Sequence, residues 1–398
     1  MSKLEELIKE YCPNGVEYAK IGDICDISRG QVMSKDFIRD NSGEYPVYSS
    51  QTENEGVLGK ISTYMFDGEY LTWTTDGANA GMVFYRKGKF SVTNVCGLLK
   101  VASKNVFPKF LYYALSVVTS KYVNKGMGNP KLMSNVMARI QIPLPALPVQ
   151  REIVRVLDSF TLYSAELTAE LTARRKQYEF YRDKLLTFEQ PEVKQIPLGK
   201  LAKFTYGYTD VAKDVGDARF IRITDINEDG CLSSGNCKYI TLNDESKKYL
   251  LKEGDLLLAR TGATYGKTLY FPNNEPAVYA SFLIKIDLDN SVILNRYYWH
   301  FSKSNLYWKQ ADKYVSKAGQ QQFNTNAVSR VIVPVPSIEV QERIVKVLDN
   351  FDEICSNLKI GLPAEMEKRQ QQYEYYRDKL LEFNVNINKD INITGGSR

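Results

Sequence analysis

The sequence contains one histidine, His300, and six cysteines (Cys12, Cys25, Cys96, Cys231, Cys237, Cys355) with no C-x-x-C pair among them. A multi-histidine metal site is therefore excluded, and the scattered thiols read as free residues, with no metal site expected. His300 sits inside the run Tyr297-Tyr298-Trp299-His300-Phe301, which reads as a packed helix or strand rather than a catalytic base. No apolar run approaches the roughly 18 residues that span a bilayer. The opening Met1-Ser2-Lys3-Leu4-Glu5-Glu6 lacks a basic-then-apolar leader, so a cytoplasmic protein without membrane contact is expected. A strong charge of one sign is also missing, since the formal net charge is only +5.

What is present exceeds one core. The chain has 398 residues, 43% of them apolar and 12% aromatic, enough for two or more globular units. Counting Lys and Arg against Asp and Glu gives +3 over residues 1–147, zero over 148–190, +4 over 191–336 and −2 over 337–398. The positive excess lies in the globular segments, which suits a polyanion facing them and protein facing the rest.

The chain is duplicated. Residues 139–160, RIQIPLPALPVQREIVRVLDSF, return without a gap at 330–351 as RVIVPVPSIEVQERIVKVLDNF. The stretch QYEFYRDKLLTF at 177–188 returns as QYEYYRDKLLEF at 372–383. More faintly, Ile21-Gly22-Asp23-Ile24 before Gly30 matches Leu198-Gly199-Lys200-Leu201 before Gly207, and Asp76-Gly77-Ala78 matches Thr261-Gly262-Ala263. Leu157, Phe160, Ser164, Leu167, Leu171, Arg174, Tyr178, Tyr181, Leu185 and Phe188 step by threes and fours, a heptad seam. Pro148 suits a first helical turn and Pro191 closes the exit. The second seam runs through Leu348, Phe351, Cys355, Leu358 and Leu362, then resumes at Tyr373, Tyr376, Leu380 and Phe383, with a break expected at Gly361-Leu362-Pro363. Short strands such as Ile140-Gln141-Ile142, Leu256-Leu257-Leu258 and Val331-Ile332-Val333 make each globular unit α+β. The first helix, near Leu7-Ile8, looks like the tail of a further coil repeat.

These features are similar to the specificity subunits of Type I restriction-modification systems over essentially the whole chain. The residues that carry the resemblance are the twin VQ-x-x-IV-x-VLD-x-F segments, the twin QYE-[FY]-YRDKLL segments, and the tandem Ala165-Glu166-Leu167-Thr168, Ala169-Glu170-Leu171-Thr172. The resemblance implies a pseudo-twofold α+β chain. Two target-recognition domains, 1–147 with a short N-terminal helix and 191–336, would be separated by two long antiparallel coiled-coil helices, 148–190 and 337–385, with a tail at 386–398. It further implies that the chain recognises a bipartite, asymmetric double-stranded DNA site and is not itself an enzyme. Two methyltransferase subunits and restriction/translocase subunits would be its partners. S-adenosylmethionine, ATP and Mg would belong to those subunits, and none to this chain. The rivals are a fused methylase-nuclease system and a coiled-coil scaffold that binds only proteins.

Catalytic signatures are missing. No Asn/Asp-Pro-Pro-aromatic tetrapeptide of an adenine methyltransferase occurs. Gly262-Ala263-Thr264-Tyr265-Gly266-Lys267-Thr268 has only three residues between its glycines and reads as a tight turn rather than a phosphate loop, and Glu192-Val193-Lys194 reads as a linker. The candidate DNA-reading residues are polar or basic and lie in loops. In the first domain they are Ser49, Ser50, Gln51, Thr52, Thr74, Thr75, Asn79 and Lys131. In the second they are Arg222, Thr224, Arg260, Thr261, Thr264, Tyr265, Lys267, Gln320, Gln321 and Gln322. Gln and Asn pair with adenine, Arg and Lys with guanine. For partner docking the candidates are Tyr178, Tyr181, Arg182, Tyr373, Tyr376 and Arg377.

Overall fold

The structure, a computed structural model, describes residues 3–126, 128–189, 192–227, 229–233, 235–272, 275–316, 321–356 and 361–383. Pro191, Gln320, Leu358 and the expected tail 386–398 lie outside the described residues. The chain divides into two compact units, residues 1–165 with 368–398, and residues 166–367, so the division falls inside the helix Leu147–Leu185.

In unit 1 a six-stranded sheet runs Cys25–Arg29, Cys96–Val101, Phe66–Thr74, Val83–Val92, Ser42–Tyr48, Val57–Ile61. The alternating apolar residues of these strands and the helix Pro108–Val118 bury Leu71, Trp73, Leu99, Phe110 and Leu111 in one core. A separate ribbon pairs Glu17–Lys20 with Gln141–Leu144.

Unit 2 repeats this plan. Its four-stranded sheet, Ala202–Tyr206, Leu283–Leu288, Leu256–Ala259, Thr268–Tyr270, matches the first four strands of unit 1 in order and direction. Where unit 1 continues through the single strand Val83–Val92, unit 2 has two strands, Thr268–Tyr270 and Ala277–Tyr279. Pro272 and Pro276 fall between them, and proline has no N–H to give a ladder. Ala277–Tyr279 then pairs in parallel with Ala218–Ile221, as Val83–Val92 does with Ser42–Tyr48. The ribbon recurs as Lys194–Pro197 with Ile332–Val335.

The repeated motif fastens each domain to its helix. Gln150 is fully buried; its Oε1 accepts from Phe107 N at 2.8 Å, and its Nε2 donates to the carbonyls of Asn105 and Pro145 at 2.8 and 2.7 Å. Gln341 repeats all three bonds with Leu294 N, Val292 O and Pro336 O, each at 2.9 Å. Two helical turns on, Asp158 accepts from Lys109 Nζ and the Tyr113 hydroxyl, both at 2.7 Å, while Asp349 accepts from Arg296 Nε and His300 Nε2, both at 2.7 Å. Ile153, Val154 and Leu157 fill the gap between these bonds in unit 1, as Ile344, Val345 and Leu348 do in unit 2.

His300 lies on the helix Asn295–Ser302 and is fully buried. A carboxylate only accepts, so Nε2 carries the proton towards Asp349, and Nδ1 accepts from the Tyr178 hydroxyl at 3.1 Å. Burial pushes the His300 pKa down to about 4, so the ring is neutral.

The helix Leu147–Leu185 is continuous, with Pro148 in its first turn. Its counterpart is two helices, Ile338–Ser356 and Leu362–Leu381, and the second begins at the expected Gly361-Leu362-Pro363 break. In unit 1 the early part of the first helix meets the last helix, with Phe160 stacked on Tyr376 at 5.6 Å. In unit 2 the late part meets Ile338–Ser356, with Tyr181 stacked on Phe351, also at 5.6 Å. Phe160 and Phe351 are repeat equivalents, as are Tyr181 and Tyr376, so the two seams are built alike. The N-terminal helix Lys3–Tyr11 turns Leu4, Leu7 and Ile8 onto the unit 1 core.

Candidate nucleic-acid interface and helix surface

In each unit three loops gather at the same strand ends, in unit 2 from a four-stranded and a three-stranded sheet, and the strand registers show them to be equivalent. In unit 1, Leu132 N bonds Thr75 O at 2.9 Å and Gly77 N bonds Pro130 O at 3.0 Å, joining the loop after Phe66–Thr74 to the one around Lys131. In unit 2, Phe323 N bonds Arg260 O at 2.7 Å and Gly262 N bonds Gln321 O at 3.2 Å, joining the loop after Leu256–Ala259 to the one at Gln321-Gln322. The third loop is Ser49–Thr52 in unit 1 and starts at Arg222 in unit 2. Thr93 N reaches Tyr48 O in the one and Ala280 N reaches Ile221 O in the other, both at 2.9 Å. The close approach of strands accounts for two glycines of the faint repeat: a Cβ on Gly30 would lie 1.8 Å from Val92 O, and one on Gly207 would lie 2.2 Å from Ala280 O. Only glycine lets the neighbouring strand pass so close.

In unit 1 the loops enclose a cleft of about 440 Å³ lined by Ser49, Ser50, Gln51, Asp76–Asn79, Asn94 and Asn129. Asn79 is exposed, and its Nδ2 donates to Thr52 Oγ1 at 2.9 Å, tying two loops together. Gln51 Nε2 donates to the Val57 carbonyl. The buried Thr93 hydroxyl, which lines the same cleft, has no hydrogen-bond partner among the described residues. Lys131 is exposed at the edge. Thr74 and Thr75 are buried, with their hydroxyls given to Asn79 O and Val95 O, and they hold the loop's shape rather than face outward.

In unit 2, Arg260, Thr224 and Gln322 lie at the same end, and Gln321 stands beside them. Several candidates are turned to internal use. Arg222 forks onto the buried Asp225 at 2.8 and 3.1 Å, and Asp225 holds the guanidinium pKa above its ordinary value. The Tyr265 hydroxyl donates to Asp312 at 2.5 Å, and burial with that carboxylate pushes its pKa up to about 12. Thr261 is buried, and Thr264 Oγ1 bonds its carbonyl at 3.4 Å. Lys267 bonds Ala259, next to Arg260, through its backbone, and lines a different cleft of about 440 Å³ together with Arg175, Arg182, Lys303 and Trp308. Gly262–Thr264 is a single 3-10 turn between two strands, with no following α-helix to receive a phosphate.

Arg29, Asn94, Tyr206 and Phe282 stand at these edges and were not singled out in the sequence. The signal was available for two of them: Arg29 and Tyr206 immediately precede the paired glycines Gly30 and Gly207.

On the helices, the docking candidates separate by face. Tyr178 and Arg182 are buried, Tyr178 on His300 and Arg182 on its neighbour Asp183, both at 3.1 Å. Phe180 and, in the other copy, Tyr375 stand in solvent, each beside a seam tyrosine, Tyr181 or Tyr376, while Tyr373 packs on Phe160 and the unit 1 core and Arg377 pairs with Asp378. Phe180 with Tyr181 and Tyr375 with Tyr376 are edge-to-face pairs at 75°, with centroids 5.4 and 5.3 Å apart. Phe180 is 62% exposed and Tyr375 60%, and Lys184 and Lys379 lie 5.9 and 5.7 Å from their respective rings. Among the described residues no cluster of His, Cys, Asp and Glu could hold a metal ion, and no helix is long and apolar enough to cross a membrane.

The fold and its edges define a duplicated two-domain α+β protein with one scaffold and two different loop surfaces. The family model for the Type I restriction modification DNA specificity domain matches it twice, at residues 13–174 and 191–368. The chain belongs to the family of Type I restriction-modification specificity subunits. A putative type I specificity subunit of Mycoplasma pneumoniae is 36% identical over 371 residues, covering 92% of this chain and 97% of that one. Another from the same organism is 33% identical over 344 residues, covering 81% and 96%. In fold, the crystal structure of the S subunit from M. genitalium matches with a TM-score of 0.58 at 14% identity, over 93% of this chain and 97% of that one. A chain from a structure describing complex assembly and conformational transition of the type I system gives a TM-score of 0.60 at 15% identity, over 92% and 98%.

Proposed function

We propose that this chain is a non-catalytic subunit that reads a bipartite, asymmetric site on double-stranded DNA, one half-sequence per domain, and that its helices seat two methyltransferase subunits. Restriction/translocase subunits join that assembly. S-adenosylmethionine, ATP and Mg serve those partners. The observation that carries the reading is the repetition of one three-loop edge on two equivalent sheets, with different side chains at nearly every tip. A common scaffold with divergent polar tips suits one ligand type, the duplex, met in two different sequences. The exposed aromatic rings with adjacent lysines have the composition of interface anchors.

The test is selection of bound duplexes from a randomised pool by the chain co-expressed with its methyltransferase. Two short defined sequences at a fixed spacing support the reading. Methyl transfer to DNA by the chain alone would establish a fused enzyme instead, and a complex that assembles but never enriches a sequence would establish a protein-only scaffold.

A further inference from the structure

Among the described residues, each reading edge presents one guanidinium that neither pairs with a carboxylate nor turns into the core, and the two come from different strands. In unit 2 it belongs to Arg260, just past Leu256–Ala259. Its Nε donates to Ser281 O at 3.1 Å, and its Cζ lies 5.2 Å from the Tyr206 ring centroid and 5.5 Å from that of Phe282. Both rings are surface groups, 41% and 51% exposed. Arg260 thus stands between two aromatic plates.

The strand registers locate the counterpart in unit 1. Tyr206 pairs with Ile284, which pairs with Leu258; the matching row in unit 1 is Arg29, Gly97 and Trp73. Two residues beyond that row, where unit 2 has Arg260, unit 1 has Thr75. Arginine and its neighbour have therefore exchanged strands: Arg29 occupies the position of Tyr206, and the uncharged, buried Thr75 occupies that of Arg260. The local contact survives the exchange. Arg29 Nε donates to Ser134 Oγ at 3.3 Å, and the Tyr206 hydroxyl meets the equivalent Thr325 Oγ1 at 3.3 Å. One terminal nitrogen of Arg29 faces Met133 Sδ at 3.5 Å, so an apolar group backs this guanidinium too.

Arg222, Arg219 and Arg86, the other arginines near these edges, are turned inward, with an Arg219 terminal nitrogen on the Ser233 carbonyl and its Nε buried. Arg222 is forked onto Asp225, and Arg86 is buried against Tyr48 with its NH2 on Glu55 O at 2.6 Å. Arg29 and Arg260 each keep N–H groups for the two-pronged contact with guanine O6 and N7, the commonest specific arginine contact in a major groove. We infer that Arg29 and Arg260 are the guanine-reading residues of the two half-sites, one in each domain. The inference rests on the DNA-reading function proposed above. It adds that the two domains place their guanine contact on different strands of one scaffold, so the half-sites are read in different registers.

The experiment is the same duplex selection with the full chain in its methyltransferase complex, comparing wild type with Arg29→Ala, Arg260→Ala and the two lysine variants. Arg260→Ala is expected to lose about tenfold or more of the preference for a G·C pair at one position of one half-site. Arg29→Ala should do the same in the other half-site. In each variant the untouched half-site serves as the internal control for folding. Lysine variants should recover overall affinity but not the full preference, because the ammonium is a point charge without the fork. Consensus sequences unchanged in both alanine variants, with only affinity and salt slope reduced, would make these arginines phosphate contacts and overturn the inference. Relaxation in the same half-site for both would overturn it as well. Failure of the wild-type complex to enrich any sequence would remove the DNA-reading function itself, which the variant comparison cannot do.

Discussion

The roots and the tips of the two domains have diverged to very different degrees. At the roots, Gln150 and Gln341 make the same three bonds to the same three backbone positions, and Asp158 and Asp349 stand two turns later in the same role. At the tips, Ser49 stands in the place of Arg222, Thr75 in that of Arg260, and Lys131 in that of Gln322. A buried amide with every donor and acceptor satisfied allows little substitution, because any loss leaves polar backbone groups unpaired out of water. An exposed tip such as Lys131 or Gln322 carries no such constraint. Divergence in this molecule has therefore run where folding permits it, and the same places are available to a ligand.

The largest effect should come from the roots. Gln150→Ala leaves Phe107 N and two carbonyls without their partner, and Gln341→Ala does the same to Leu294 N and its carbonyls. Each substitution is predicted to cost about 3 kcal/mol of its own unit's stability, read as one displaced transition in denaturant unfolding. A shift under about 1 kcal/mol in either variant would break the equivalence of the two fasteners.

The next effect separates the copies, because the Asp349 partner His300 titrates in the acid range and the Asp158 partner Tyr113 does not. Burial lowers the His300 pKa from 6.5 to about 4, so below pH 6.5 the unfolded chain binds a proton that the folded chain refuses. This contribution is present above pH 6.5 and is lost as pH falls towards 4, about 3 kcal/mol in all. Unfolding monitored from pH 7 to pH 4 should show unit 2 losing stability faster than unit 1, and His300→Gln should remove that excess slope. Parallel pH profiles of the two transitions in wild type would refute the assignment.

A smaller effect concerns the outer faces of the helices. Phe180→Ala or Tyr375→Ala removes the exposed ring of each pair and leaves the seam tyrosines Tyr181 and Tyr376 on Phe351 and Phe160. Each substitution should cost about 2 kcal/mol in methyltransferase binding, as interface anchors do, and less than that in stability. Titration calorimetry against the partner would show it. Equal losses in the two variants would mean two equivalent docking sites; a loss in one only would mean that the duplication is not used as such.

Much of this was legible in the sequence because it repeats. Gap-free duplication marked the segments under the strictest packing, and heptad spacing placed Leu157, Phe160, Phe351 and Tyr376 on inward seams. Orientation remained hidden. Arg222, Tyr265 and Lys267 carry the side chains of nucleic-acid readers, yet Asp225, Asp312 and a separate cleft take them up. Residue type gives chemistry, but direction depends on neighbours distant in the chain. Tyr178 and Phe180 show the same limit on a helix: two residues apart, one is buried on His300 and the other lies in solvent. The motif QYE-[FY]-YRDKLL does not distinguish them without knowing which face the domain covers.

The smallest effect on folding and on half-site choice should come from the tandem Ala165–Thr172, which belongs neither to a root nor to a tip. Most of its residues are exposed. One added Ala-Glu-Leu-Thr copy preserves the helix-forming composition, lengthens the helix by about 6 Å and turns its C-terminal remainder by about 40° beyond a full turn. No fastening bond and no reading loop is touched, so stability should change by less than about 1 kcal/mol. If both domains track the duplex, a displacement of about 6 Å corresponds to roughly one to two base pairs at about 3.4 Å each. The inserted variant should then methylate the same two half-sequences with the gap between them longer by about one or two base pairs, seen by mapping methylated adenines across a genome. Altered half-sequences would mean that the helix shapes the reading edges themselves, and full activity at the original spacing alone would mean that the helix does not set the gap.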